Sequence, residues 1–470
     1  MKHLSLLLPL LLLTACGEDR SHEYEALTQH NTWLLQQMQD YYLWADNIPE
    51  QDYKSYFQTS TKFFSSITSA AGQSDSWSYC LVDSALTDPH ERGYFNHLDT
   101  YGLDLSILTD PTKQTSRSFA LVSYVCPGSP ADQCGLQRGC FIGMVDNTRV
   151  TSSVASKNLK SGEARELTCH HIDTIEGGSY VWTDTLTVQL PASRQVTEEA
   201  FPLRNFFFYE GSWIGYLLCT NLGDDGQQQL DQHMQYFLQE QPTELVLDLR
   251  YCNHGSLSTA CRLASCIVPP GQRGQTFAQT LYNSRHTAEN QVYAFDQSLT
   301  SLELSRIFIL TGSYTQGAAE WLIRGLQQAL GTDNVILIGS STKGQNVLTQ
   351  HIASGYGHQF FPAVAYVADG QGNYSYSSLT PTYSVSETST ANLLYMHELG
   401  DPRETLFLAA IAGVDEQLYD AAYIDGAGRF RRIWHVTLPG IRNTIAVMLI
   451  LESGNILSIS FNQIYILIND

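Results

Sequence analysis

The sequence predicts an α/β protein of several domains: an N-terminal helical segment, a β-rich module, an α/β core containing a parallel sheet, and a terminal stretch of helical, membrane-like character. Three observations predict this. The chain has 470 residues, 43% hydrophobic and 11% aromatic, ample for cores and too long for one ordinary domain. From about 94 to 192, short apolar runs alternate with turns, the pattern of a small β module. From about 200 to 400, buried-strand runs alternate with helix-length runs, and strand–helix–strand order implies parallel pairing through a right-handed crossover. The net charge of −21 argues against a nucleic-acid partner, because phosphate binding needs clustered Lys and Arg.

The N-terminus reads as an export signal. Lys2 and His3 precede the apolar run Leu4 to Leu13, which is too short to span a bilayer. Leu13-Thr14-Ala15-Cys16 resembles a bacterial lipobox, and an abrupt change to Gly17-Glu18-Asp19-Arg20 follows. An ordinary signal peptide with a chance Cys is the alternative. The lipobox resemblance implies cleavage before Cys16 and lipid on that residue. The expectation is an exported chain, anchored to the membrane of a bacterial cell envelope through Cys16, with the membrane face left open.

Residues 24–44 predict an amphipathic helix with Leu34, Met38 and Tyr41 on one face, ended by Asn47 and Pro49. A second helical stretch is predicted around Tyr53 to Ile67. In the β-rich module, Ser118 to Val125 is a strand. Pro127-Gly128-Ser129-Pro130-Ala131 turns into a short helix, Gly135 to Gly139 follows, and Phe141 to Val145 is the next strand. This order resembles a PDZ domain, with Cys140 standing where Asp is usual. Tyr101-Gly102-Leu103-Asp104-Leu105 resembles the PDZ carboxylate-binding loop and strand. The resemblance implies capture of peptide or protein C-termini by backbone N–H groups and strand addition. A β module without a peptide groove is the alternative.

The α/β region carries strands at Trp213 to Cys219, Thr243 to Arg250, Arg306 to Leu310 and Val335 to Ile338, with helices at Gln227 to Glu240 and Ala318 to Leu330. Three segments in order carry a family resemblance. They are Leu247-Asp248-Leu249-Arg250-Tyr251, the run from Leu310 to Glu320, and the run from Ile338 to Val347. They resemble the tail-specific (C-terminal processing, S41) serine peptidases over roughly residues 25 to 405. That family has a glycine loop after a D-L-R strand, a Ser at a helix start in a pattern like S-A-S-x-E, and a Lys in a T-x-G-K loop. The resemblance implies a Ser nucleophile whose proton passes to a neutral Lys.

Anchored on Glu320, the nucleophile position falls at Gly317; anchored on Thr342 and Gly344, the base position falls at Gln345. Glycine has no side chain, and an amide is no proton-accepting base near neutral pH. The oxyanion loop is altered too, because Cys252-Asn253-His254-Gly255 keeps one glycine of the run. Losing one oxyanion donor alone costs about 2.7–4 kcal/mol of barrier. The expectation is a catalytically dead member of the family. Two substitutes are weighed against it. Ser313 with Lys343 would sit off the helix start, against the need for near-attack geometry. Cys252 with His254 reads more simply as a buried Cys beside an exposed loop His. Ser313 and Thr315 most simply satisfy loop backbone.

Nine cysteines remain after Cys16, without a CxxC pair, so neither a zinc site nor any cofactor is expected, and disulfide pairing is not deducible. The tail has another character. Leu418-Tyr419-Asp420-Ala421-Ala422 through Asp425-Gly426-Ala427 to Leu438-Pro439 resembles the EAA loop of sugar-type ABC-importer permeases. Such a loop contacts an ATPase in the cytoplasm. Behind an export signal it would lie outside, and one interrupted apolar stretch from Ile445 to Ile468 falls short of a permease's several spans. ATPase contact and a transport role are therefore the lesser expectation. The expected domains are 1–16 signal peptide, 24–90 helical, 94–192 PDZ-like, 200–405 peptidase-like and 414–470 permease-like.

Overall fold

The structure is a computed structural model, and it describes residues 21–71, 75–82, 99–174, 179–209, 212–355, 357–375 and 377–412. The expected signal peptide, Cys16 and the stretch 414–470 lie outside the described residues. The chain divides into two units. The smaller holds the first described residues together with Thr280–Asn290 and Val347–Tyr366. Its helices are α1 (Ser21–Tyr41) and α2 (Ser60–Ala71). Leu34 and Met38 of α1 pack with Phe63, Phe64 and Ile67 of α2 against Phe360. The expected third member of that face, Tyr41, is only half-buried and stacks on His286 at 4.6 Å. Tyr42, four residues after Met38 and with its N–H still donating to the Met38 carbonyl at 3.1 Å, fills the core instead, donating from its hydroxyl to Asp75 at 2.7 Å. The helix predicted from Tyr53 is two pieces, a 3-10 turn Tyr53–Phe57 capped by Asp52 and then α2.

The larger unit contains a β module and an α/β core. The module has β1 (Leu103–Thr109), β2 (Ser118–Val125), α3 (Pro130–Gln133), β3 (Phe141–Val145), α4 (Ser152–Asn158), β4 (Arg165–His170) and β5 (Leu186–Leu190). The sheet runs β5-β4-β3-β2-β1, antiparallel throughout, with β1 at its edge. Ser129 accepts from the Asp132 N–H and Pro130 occupies the first helical turn, so the S-P-A sequence itself starts α3. Val122, Ile142 and Leu167 form the module's core with Ala131 and Leu136.

The core sheet is built from β6 (Leu203–Tyr209), β7 (Ser212–Leu218), β8 (Glu244–Asp248), β9 (Ile307–Thr311), β10 (Val335–Gly339) and β11 (Tyr383–Ser384), in that spatial order. The β6–β7 hairpin is antiparallel; every other pairing is parallel. Helices α5 (Gln227–Glu240), α6 (Leu257–Ser265) and α7 (Ala318–Leu330) make the crossovers, and α8 (Thr405–Ile411) follows β11. All five residues of β9 are buried, as expected of a parallel strand covered on both faces.

A buried charge network explains the D-L-R sequence at the end of β8. Asp248 accepts from the Arg250 side chain at 2.9 Å and from the Tyr216 hydroxyl at 2.7 Å. Arg250 reaches Glu404 at 2.8 Å and Glu387 at 2.6 Å. Arg138, in the turn before β3, meets the same two carboxylates at 3.1 and 2.7 Å. Burial works against the charged form of Glu387, but Arg138 and Arg250 overcome it and hold the carboxyl down to about 2. Glu404 also caps α8 by accepting from the Leu406 and Phe407 N–H groups. One turn of the β module is thereby tied to both the central strand and the last helix of the core.

Candidate functional site

The site is assembled where β9 passes through a loop into α7. Thr315 satisfies that loop, its hydroxyl donating to the Leu249 carbonyl at 2.8 Å and accepting from Gly312 N–H at 2.9 Å. Gln316 donates from its backbone to the Cys252 carbonyl at 3.2 Å and from its side chain to the Asn253 carbonyl at 2.8 Å. Gly317 follows as the N-cap of α7, with φ 56° and ψ −117°. A side chain is strained in that conformation, whereas glycine adopts it at little cost. Sharp strand-to-helix turns of this kind raise a nucleophile out of a sheet in some hydrolases. Here the turn carries a glycine, which has no side chain to present.

Gly317 and Gln345 face each other. A Cβ built on Gly317 would lie 2.9 Å from Gln345 Oε1. Glu320 sets this register. Its fully buried carboxylate accepts from Gly317 N–H at 3.2 Å, Gly344 N–H at 2.6 Å, Gln345 N–H at 2.7 Å and the Thr342 hydroxyl. Burial raises its carboxyl above the ordinary range, and those four hydrogen bonds pull it back. Trp321 donates from its indole to the Gln345 carbonyl at 3.0 Å, a second tie between α7 and the loop. The residues that anchored the alignment in the sequence are thus the atoms that hold the two loops together.

The other predicted positions separate. Cys252 is fully buried, with its Sγ 3.8 Å from Cys219 Sγ. His254 is exposed, and its Nδ1 meets Asn253 Oδ1 at 2.8 Å. A Cys252–His254 nucleophile pair is therefore not formed, because the thiol points into the core. The Cys252 N–H is donated to the Leu249 carbonyl at 3.0 Å, so it does not point at a reacting oxygen. Gly255, at φ 145°, is needed because a Cβ there would meet the Leu222 backbone at 2.5 Å. Ser313 is exposed and lines a cavity of about 150 Å³ with Asp104, Ser106, Arg250, Tyr251 and Glu387. Lys343 is exposed on its own loop, is not among that cavity's walls, and donates its backbone N–H to the Thr315 carbonyl at 3.0 Å. The structure does not bring Ser313 and Lys343 together as nucleophile and base.

In the predicted carboxylate loop, two of the expected donors are already used. Tyr101 N–H donates to the Lys160 carbonyl at 3.0 Å and Gly102 N–H to Thr100 Oγ1 at 3.0 Å. Tyr101 is fully buried, its hydroxyl donating to the Glu163 carbonyl. The loop is closed by its own polar groups, so a chain end could meet this segment only from Leu103 onward. Asp104 is buried and Leu105 half-buried on β1. Among the described residues, no group of three or more His, Cys, Asp or Glu side chains is gathered as metal ligands would be.

Sequence reasoning missed the Arg138–Glu404–Arg250 network and the thiol beside Cys252. The first had a signal: Asp248 and Arg250 end an otherwise apolar buried strand, and buried charges need partners. Nothing in the sequence marked Glu404, Glu387 or Cys219 as those partners.

Comparison with known proteins agrees with the fold. Residues 213–385 match Peptidase family S41, and residues 29–79 match the Peptidase S41 N-terminal domain. A solved structure from Bacteroides fragilis NCTC 9343, assigned to the S41 proteases, superposes with a TM-score of 0.71 at 26% identity, covering 84% of this chain and 97% of that one. Residues 405–467 match the inner membrane component of binding-protein-dependent transport systems. Over 64 residues the chain is 59% identical to Protein LplB and 53% identical to the polygalacturonan/rhamnogalacturonan transport system permease protein YteP, both of Bacillus subtilis strain 168. Each match covers 14% of this chain, which spans about a fifth (20%) of the length of those curated relatives. The transport match begins within α8, whose Leu406 and Phe407 are buried in the core of the larger unit.

Proposed function

This chain is built on S41 peptidase domains and ends in a permease-like segment, and on that premise we propose that it is a catalytically silent peptide-binding protein. Gly317 opposite Gln345, with Glu320 clamping both loops, carries the reading. The geometry that would align a Ser with a Lys is present, while a nucleophile and a base are absent at those two positions. The altered loop at Cys252 to Gly255 supports the same conclusion, since the Cys252 N–H is turned to Leu249. Lipid on Cys16 would hold the chain to the cell envelope.

The remaining function is to hold peptide or protein C-termini. The edge strand β1 supports this, because an unpaired strand edge accepts an added strand through main-chain hydrogen bonds. The test is binding of a peptide library to the full chain, with hydrogen exchange reporting the site. Binders are expected at roughly micromolar Kd, protecting amides of Leu103 to Thr109, and amidation of the peptide's C-terminus should weaken them about tenfold. A library without binders, or binders that protect another surface, would overturn the reading.

A further inference from the structure

We propose that Cys219 and Cys252 are a disulfide-forming pair that locks the altered loop to the end of β7. Both thiols are fully buried and free, with their sulfurs in van der Waals contact at 3.8 Å. Their backbones are held on neighbouring residues at the end of β8. Cys219 N–H donates to the Asp248 carbonyl at 2.9 Å, and Cys252 N–H donates to the Leu249 carbonyl at 3.0 Å. A disulfide needs the sulfurs about 2.0 Å apart, so the pair must close by about 1.8 Å, a distance shared between two side-chain rotations. The Cys252 carbonyl accepts from Gln316, the residue before Gly317, so a bridge here would also stiffen the entry to α7.

The step is thiol–disulfide exchange with a disulfide-bonded oxidant. One cysteine thiolate attacks a sulfur of the oxidant and releases one reduced thiol. The second thiolate then displaces the other, leaving the Cys219–Cys252 bond and an oxidant reduced by two electrons. Burial, with Cys252 and Asp248 adding to it, pushes the Cys219 thiol well above its ordinary range. Exchange in the folded chain is therefore slow, and the bond forms while this strand end is still open during folding.

The experiment refolds the full chain with oxidised glutathione, blocks remaining thiols by alkylation in denaturant, and maps peptides by mass spectrometry without reduction. A peptide joining Cys219 to Cys252 is expected. Reductant should lower the melting temperature of this oxidised chain by roughly 5–10 °C, an effect absent in Cys219→Ser and Cys252→Ser. Recovery of Cys219 and Cys252 both alkylated, whether or not other cysteines pair, would overturn the proposal. The mapping uses the wild-type chain, so it decides the question even if a serine variant fails to fold.

Discussion

Replacing Arg250 with Met should destabilise the larger unit by roughly 3–5 kcal/mol, because removing one partner of a buried ion network strands the others. Asp248 and Glu404 are fully buried, and both depend on the Arg250 guanidinium. Arg250→Met would leave Asp248 with the Tyr216 hydroxyl as its side-chain partner and leave Arg138 alone to neutralise two carboxylates. The urea midpoint should fall by about 1–2 M. Arg403→Met is the matching control, since the Arg403–Asp401 pair sits at the surface. Exposed pairs of that kind contribute about 0–1 kcal/mol. Equal midpoints for the two variants would show that the network does not hold the β module to the core.

Glu320→Ala should be comparably damaging, at roughly 3–5 kcal/mol. Three backbone N–H groups and the Thr342 hydroxyl lose a buried acceptor at once, and each orphaned donor costs about 1–3 kcal/mol without strict additivity. Hydrogen exchange at Gly344 and Gln345 should accelerate in step with the loss. Glu320→Gln keeps one acceptor oxygen and should cost about half as much. A near-neutral Glu320→Ala would mean that the two loops are aligned by something other than this carboxylate.

These two residues also mark what was legible in the sequence. The α/β class could be read because parallel strands buried on both faces leave continuous apolar runs such as Ile307 to Thr311. Glu320 stood out as an alignment anchor, and its position three residues into α7 is what lets its side chain turn back to the Gly317 N–H. The Gly317–Gln345 opposition was legible only through the family resemblance, since no local rule joins residues so far apart in the chain. Tyr41 was expected on the core face and is only half-buried, while Tyr42 fills that core, because positions three and four residues after Met38 both lie near one helix face. The carboxylate loop looked open because sequence shows which N–H groups exist and not where they are donated; Lys160 and Thr100 had no signal as their acceptors. The Arg138–Glu404 contact joins residues 266 apart, and pairings of that range are set by tertiary packing.

The proposed catalytic silence concerns the turn where Gly317 faces Gln345. The direct measurement is hydrolysis of an unstructured protein by the full wild-type chain, with a fluorophosphonate probe in parallel and its adduct mapped by mass spectrometry. A silent site gives no product above the blank and no adduct on any serine. Hydrolysis abolished by Ser313→Ala or Cys252→Ala, or an adduct mapped to Ser313, would contradict it.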